Sequence, residues 1–473
     1  MPPPPATSAK GDGLRLREYV GYALGDTASN LFFVTFNIFL IFYYVDVWAI
    51  PAASVSFMML AVRMWDAAID PVIGLVADRT NTRWGKFRPY LLWGAIPYAV
   101  CGYLMFAGPD LSPAGKLTYA YVTYALMVLA YSIINVPYSS MLGVISPSSR
   151  TRGVASSFRF VGAFSGGLVV SLLCRPLVQY LGGGDQVRGF QATMAIFAVV
   201  SVAMFWACFA TTRERVTPPP QQKTNAREEL GELVRNRPWV MLLVATVFST
   251  TFIALRQGST LFYFKYIVGD DGTPILFGTL DRSTVFLSVG MLAQVLGTAA
   301  LGLIVRRVDK KKLAAVLSGI TGITFALFFV LPTDNYWLLV LVNAFGTFCM
   351  GPTSALTWAM YGDVADYGEW KFGRRSTALV YSASLFSINA GIMIGGAMVP
   401  IFLATFGFVP NVVQSASAIL GITLAFSLAP GAFAMLKGIA LWIYPLDQAR
   451  VDEVEHALDA RRLQAASPAA AAL

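Results

Sequence analysis

The amino-acid sequence predicts an all-α membrane protein with twelve transmembrane helices, arranged as two pseudo-symmetric six-helix bundles. Three observations predict this fold: an apolar composition, apolar runs of membrane-spanning length, and similarity between the two halves of the chain. Of the 473 residues, 56% are hydrophobic and 13% are charged. Water-soluble proteins of this length do not have such a composition.

The apolar runs recur along nearly the whole chain. A helix needs about 20 mainly apolar residues to cross a bilayer. Twelve stretches meet this requirement and predict twelve spans, numbered in chain order: 19–45, 52–77, 88–107, 117–143, 153–180, 189–211, 238–268, 283–305, 313–331, 336–362, 376–406 and 414–443.

The second group of six spans resembles the first. Gly162 and Gly166 in span 5 have counterparts in Gly391 and Gly395 of span 11, at the same ordinal position. Small residues at this spacing let helices approach closely. The similarity favours a duplicated transporter with its site between the halves. The predicted division is a disordered N-terminus (1–18), a first bundle (19–212), a linker (213–237), a second bundle (238–443) and a polar tail (444–473).

Basic residues gather in alternate loops, which predicts the orientation in the membrane. By the positive-inside rule these loops and both termini are cytoplasmic. The net charge of +9 is therefore a topology signal and indicates no nucleic-acid partner. With one histidine, four cysteines inside predicted spans, no nucleotide-binding motif and no nucleophile–base pair, the sequence indicates neither an enzyme nor a cofactor.

The stretch "RMWDAAIDP" places three charges inside span 2. Arg63, Asp66 and Asp70 share an arc of about 60° on one helix face. A charge at this depth costs about 2.5–3.5 kcal/mol, so the face must point into the protein or into a water-filled cavity. One interpretation is an internal salt bridge made by Arg63. The other is a cation site at Asp66 and Asp70, whose oxygens suit Na⁺ and whose mutual repulsion would favour H⁺.

The longer segment "RMWDAAIDPVIGLVADRTNTRWGKFRP" is similar to the signature of the glycoside–pentoside–hexuronide:cation symporters, within the major facilitator superfamily. "YALGDTASNLFF", "YSIINVPYSSM", "YFKYIVG" and "GDVADYGEWKFGRR" resemble further family segments, so the resemblance covers essentially the full chain. It implies the major facilitator fold and symport of a sugar with Na⁺ or H⁺ by alternating access. It also implies a bacterial inner-membrane location among membrane lipids, with no obligate protein partner.

The resemblance implies two sets of binding residues. The cation set is Asp66, Asp70, Ser132 and Asn135, with Asp66 and Asp70 as the metal ligands if the ion is Na⁺. The substrate set is Asp26, Asn30, Tyr131, Asn135, Arg159, Trp358 and Asn389. At Asn30 and Asn135 a well-known family member has aspartates, and at Asn389 many members have lysine. Carboxamides keep hydrogen-bonding capacity and remove charge.

A third predicted group is a gate near the cytoplasmic side. We expect ion pairs between the halves to latch the outward-open state; the alternative is that these charges are simply solvated. The gating residues are Arg63, Arg79, Arg83, Arg150, Asp363 and Asp366. Three other functions are left open: transport of a lysolipid or other amphiphile, uncoupled sugar facilitation, and a non-transporting membrane sensor, against which the retained Asp66 and Asp70 argue.

Overall fold

The structure is a computed structural model that describes residues 14–146, 149–215, 231, 235–276, 279–304, 308–372, 377–454, 456–458 and 460. The predicted N-terminus up to residue 13, most of the linker (216–230 and 232–234) and the end of the tail (461–473) lie outside these ranges. The helices are α1 (Leu16–Thr35), α2 (Ala52–Arg79), α3 (Arg88–Leu104), α4 (Pro113–Val144), α5 (Ser149–Gly182), α6 (Gln186–Thr211), α7 (Arg237–Tyr263), α8 (Arg282–Ile304), α9 (Lys310–Leu327), α10 (Tyr336–Phe372), α11 (Thr377–Thr405), α12 (Ala416–Phe426) and α13 (Leu428–Trp442).

Each predicted span overlaps one α-helix, except that span 12 is formed by α12 and α13 together; spans 1 and 7 also include short π-helical segments. In the described part of the chain, nine helical stretches are long and apolar enough to cross a bilayer. The protein is therefore an integral, multi-pass membrane protein, while the number of twelve spans stays a prediction. One boundary differs clearly from the sequence: α10 continues ten residues past the predicted end at 362, so Asp363 and Asp366 lie on the helix.

Short π-helical segments end the first helix of each half. Phe36–Leu40 and Tyr43–Val47 follow α1, and Phe264–Val268 follows α7. Two of these segments lie in aromatic runs of the sequence: Tyr43–Val47 lies in "FYYVDV", and Phe264–Val268 lies in "YFKYIV". A π-helical turn shifts the direction of the side chains that follow it.

The described chain forms two compact units. Unit 1 is formed by described residues within 1–36 and 64–221, and unit 2 by those within 37–63 and 222–473. Residues 37–63 thus group with unit 2, although the predicted first bundle includes them. A polar cluster lies within this unit: the Asp46 carboxylate accepts hydrogen bonds from Lys265 Nζ and Tyr266 OH, and Asn411 Nδ2 donates to the Asp46 carbonyl at 2.9 Å.

Glycines bring two pairs of helices into close contact, as the sequence predicts. In unit 1 a Cβ added at Gly162 of α5 would lie 2.3 Å from the Ala23 carbonyl oxygen of α1. In unit 2 a Cβ added at Gly391 of α11 would lie 2.5 Å from the Val247 carbonyl oxygen of α7. A threonine on the partner helix donates to the glycine carbonyl in each case: Thr27 to Gly162 at 3.0 Å and Thr251 to Gly391 at 3.2 Å.

Span 12 is interrupted at Ser427, between α12 and α13. Pro430 has no N–H, so the Phe426 carbonyl four residues earlier lacks its helical donor. Arg256 of α7 replaces it, with Nη1 donating to Phe426 O at 2.7 Å. The guanidinium carbon also lies 4.2 Å from the Phe325 ring centre and 4.4 Å from that of Phe328. Arg256 therefore stabilises the interrupted helix.

The close approach at Gly395 allows a matched test. A Cβ at Gly395 would lie 2.4 Å from the Thr251 carbonyl oxygen, whereas one at Gly396 would meet nothing within 4 Å. We expect Gly395→Ala to lower the free energy of unfolding by about 1–3 kcal/mol through overpacking. Gly396→Ala should leave it unchanged or slightly raised, since alanine favours helix. Thermal unfolding in detergent checks this, and equal melting temperatures for the two variants would contradict it.

Candidate ion and substrate site

The ion-site residue Asp66 contacts a hydroxyl of a neighbouring helix. Ser132 Oγ of α4 donates to Asp66 Oδ1 of α2 at 3.2 Å, and both side chains are buried. Asp70, one turn further along α2, is half-buried, as is Arg63. Within the described residues, no group of three or more His, Cys, Asp and Glu side chains is placed to hold a metal ion. The available donors are carboxylate and hydroxyl oxygens, which suit hard cations.

One face of α4 contacts both the ion-site residue Asp66 and residues near the predicted substrate set. Ser132, Asn135 and Ser139 are spaced by three and four residues, which places them on the same helix face. Each meets a different helix of unit 1. Their partners are, in order, Asp66 of α2, Ser29 of α1 and Arg159 of α5.

Asp26 and Arg159 form an ion pair between α1 and α5. Arg159 Nε lies 3.1 Å from Asp26 Oδ2, with side chains 25% and 11% exposed. Arg159 Nη2 donates to Ser139 Oγ at 3.2 Å, and the guanidinium carbon lies 5.0 Å from the Tyr138 ring centre. Each charge of the pair thus has its counter-ion within the apolar part of the chain, so neither is buried alone.

Two of the three predicted carboxamides, those of unit 1, are bound to the backbone of their own helices. Asn30 Nδ2 donates to the Asp26 carbonyl at 2.8 Å, and Asn135 Nδ2 donates to the Tyr131 carbonyl at 3.3 Å. Asn135 Oδ1 accepts from Ser29 Oγ at 3.2 Å. Asn135, assigned to both predicted sets, thus has Ser29 rather than an ion-site carboxylate as its side-chain partner.

Exposure varies within both predicted sets in unit 1: Asp70 of the ion set is half-buried, and Asp26 of the substrate set is buried. Asp66 and Ser132 are buried. The substrate residues Asn30, Tyr131, Asn135 and Arg159 are half-buried, and the Tyr131 ring packs on Phe33 with centres 5.8 Å apart. The arrangement can hold a small ion in an enclosed position and present hydrogen-bonding groups on an accessible face.

Trp358 and Asn389 belong to unit 2. Trp358 of α10 is half-buried and its ring centre lies 6.0 Å from that of Tyr361. Asn389 of α11 is half-buried, and its carboxamide makes no hydrogen bond to any other described residue.

Two of the predicted gating residues, Arg83 and Asp363, contact residues of their own unit. Arg83 lies over its neighbour Trp84 at 4.2 Å, and Arg79 is exposed in the last turn of α2. Asp363 accepts a hydrogen bond from Lys310 Nζ of the same unit at 2.6 Å. The side chain of Arg150 lies outside the described residues. The latch between the halves stays a prediction.

Sequence reasoning missed several polar partners. Ser29 lies three residues after Asp26 on the same helix face, and that spacing could have indicated it. Lys437 is a single lysine in an apolar span, which is itself a signal. Its Nζ donates to Ser249 Oγ and Thr353 Oγ1, each at 3.0 Å.

The whole chain is similar to known sugar transporters. The family model described as MFS/sugar transport protein matches residues 21–448. The putative glycoside/cation symporter YagG of Escherichia coli K12 is 34% identical over 94% of this chain and 95% of its own. The glucuronide carrier protein homolog of the same organism is 34% identical over 95% and 96%. The isoprimeverose transporter of Lactiplantibacillus pentosus is 34% identical over 91% and 89%.

Solved structures support the fold. A structure from a study of proton dependent oligopeptide transporters aligns with a TM-score of 0.65 at 13% identity, covering 93% of this chain and all of the other. The nucleoside transporter NupG aligns with a TM-score of 0.62 at 12% identity, covering 91% and 99%. At these identities the likeness concerns the fold alone.

The Asp26–Arg159 pair gives a stability prediction. Asp26→Ala leaves a mostly enclosed guanidinium without its counter-ion, so the free energy of unfolding should fall by about 3 kcal/mol. The control is Arg450→Ala, which breaks an ion pair whose side chains are 42% and 59% exposed and which should cost less than about 1 kcal/mol. Melting of both purified variants checks this; a larger loss for Arg450→Ala would contradict it.

Proposed function

Since the chain belongs to the MFS/sugar transport protein family, among its glycoside and sugar symporters, we propose that it carries a glycoside or related sugar together with Na⁺ or H⁺ by alternating access. Members of this family are transporters and not enzymes, which agrees with the chemistry of the site. The proposed substrate is a small molecule. The proposed surroundings are the lipids of a bacterial inner membrane, with both termini cytoplasmic because the basic loops alternate.

The contact between Ser132 and Asp66 is the observation that supports ion coupling most directly. A serine hydroxyl can donate one hydrogen bond and can also offer two lone pairs, because it rotates. With no ion present it donates to the carboxylate. When a cation binds at Asp66, the hydroxyl can turn and present its oxygen to the ion. In proton coupling, the carboxyl itself becomes the donor.

The shared helix α4 supports coupling between ion and sugar. Ser132 faces Asp66, while Asn135 and Ser139 on the same face hold Ser29 and Arg159. An ion that draws Ser132 closer to α2 changes the position of α4, and with it the spacing of the substrate residues. The ion then raises the affinity for the sugar, and the sugar raises the affinity for the ion by the same factor.

Uptake by the protein in lipid vesicles tests this function. We expect sugar uptake to depend on an imposed Na⁺ or pH gradient. Asp66→Asn should abolish that dependence. Ser132→Ala should weaken apparent ion affinity by about tenfold, as loss of an ion-site partner typically does.

Asp110→Asn is the matched control, because this aspartate is exposed in the loop before α4. It should behave as the wild type. Wild-type ion dependence in Asp66→Asn would refute the assigned ion site, and sugar counterflow indifferent to both gradients would show a facilitator.

A further inference from the structure

A proline divides α4 into two parts. Pro137 lies inside the helix and has no N–H, so the Ile133 carbonyl lacks its helical donor. Sharp bends in helices occur mostly at prolines. Ser132 and Asn135 lie before Pro137, and Ser139 lies after it. A bend at this proline therefore changes the spacing between polar groups on one face of α4.

The part of α4 after Pro137 is bound at its end by Arg215, which lies in the chain that follows α6. The last carbonyls of a helix have no donor within the helix and need one from elsewhere. Arg215 supplies two donors: its backbone N–H to Val144 O at 2.8 Å, and Nη1 to Ile145 O at 3.3 Å. Its positive charge also complements the negative end of the helix dipole.

Arg215 connects this end of α4 to α1. Its Nη2 lies 2.6 Å from Oε1 of Glu18, a buried residue in the first turn of α1. Nearer the proline, Tyr138 OH donates to the Tyr22 carbonyl oxygen of α1 at 2.6 Å. Residues 138–145 are thus held against α1 near both of their ends.

The residue before Arg215 fixes the same piece of chain to α3. The Glu214 carboxylate accepts hydrogen bonds from three consecutive backbone N–H groups at the start of that helix. The donors are Lys86, Phe87 and Arg88, at 2.8, 2.7 and 3.0 Å. An acid therefore binds a helix N-terminus and the adjacent base binds a helix C-terminus, each opposite in sign to the end of the dipole that it meets. This arrangement gives Arg215 a fixed position from which to hold α4.

The part of α4 before Pro137 carries the contact with the ion site. Ser132 Oγ donates to Asp66 Oδ1 of α2 at 3.2 Å. Ser132 lies five residues before the proline and Val144 seven residues after it, about 8 Å and about 11 Å along the helix. If Ser132 moves towards α2 while the other end is held, α4 bends at Pro137. A helix whose end is not held would instead shift as a whole.

Building on the proposed symport function, we propose that Arg215 is a positioning residue for ion coupling: it holds α4 beyond Pro137 while a cation or proton at Asp66 moves the part before it. The bend changes the distance between Asn135 and Ser139, and with it the arrangement of groups that the sugar meets. Arg215 contacts neither the ion nor the sugar. It determines how much of the movement at the ion site reaches the substrate residues, and so the factor by which each ligand raises the affinity of the other.

Hydrogen–deuterium exchange of the purified full-length protein tests the proposal with the ion alone, because exchange of backbone N–H groups reports local opening. One arm compares the wild type in Na⁺ with the wild type in K⁺. The other compares the wild type with Asp66→Asn, whose neutral carboxamide stands in for a protonated carboxyl group. In one or both arms, exchange should change in residues 128–136 and stay the same in residues 138–145.

Arg215→Met keeps a long side chain but removes its charge and its hydrogen bonds. Exchange in residues 138–145 should rise about tenfold, because hydrogen bonds to a charged group are lost, and the ion effect should spread into these residues. Arg215→Lys keeps the charge beside Glu18, so the ion effect should again end at Pro137. The matched control is Arg213→Met, since Arg213 is exposed and its side chain makes no hydrogen bond or ion pair with a described residue.

The outcomes separate positioning from a merely structural role. A structural role would raise exchange in residues 138–145 of Arg215→Met and leave the ion effect confined to residues 128–136. That result overturns the inference, as does an Arg213→Met variant that behaves like Arg215→Met. A wild type in which neither arm changes exchange in α4 overturns it as well. Sugar symport is decided separately, by whether uptake into vesicles depends on an ion gradient.

Discussion

A charge inside or at the edge of the hydrocarbon region needs a compensating group within reach, and the described helices follow this constraint in several ways. Carboxylates of three helical segments are paired with a base of the same unit. These pairs are Asp26 with Arg159, Asp46 with Lys265, and Asp363 with Lys310. Two cations are held instead by neutral groups: Arg256 by a carbonyl and aromatic rings, and Lys437 by two hydroxyls. These bonds fix which helices are neighbours in each unit.

The helices were predictable from the sequence because bilayer thickness sets the length of an apolar run, whatever the neighbours are. The contacts at Gly162 and Gly391 were predictable for a similar reason, since small residues on one face allow a close helix. The break at Ser427 was not predicted, although Pro430 carries the signal. Boundaries failed where a helix leaves the apolar region but continues, as α10 does beyond residue 362.

The partners of the polar residues were harder to predict than the residues themselves. Periodicity shows that Ser132, Asn135 and Ser139 share a face, but not which helix that face meets. Asp363 illustrates the difficulty: the sequence offers several arginines, and the structure supplies Lys310. Asp46 shows the same difficulty, because its hydrogen bonds reach side chains more than two hundred positions away in the sequence.

Replacing an aspartate by an asparagine is usually described as a loss of charge, but at Asn135 the neighbours decide more than that. A carboxamide has a donor end and an acceptor end, and the acceptor-only carbonyl of Tyr131 selects which end it faces. Ser29 Oγ lies 3.2 Å from the other end, but its single proton is also within reach of the Gly25 carbonyl oxygen at 3.1 Å. An aspartate at this position could only accept hydrogen bonds, whereas the asparagine can also donate them. Because a donor and an acceptor recognise different substrate groups, the orientation of this carboxamide decides which groups of a ligand the face can bind.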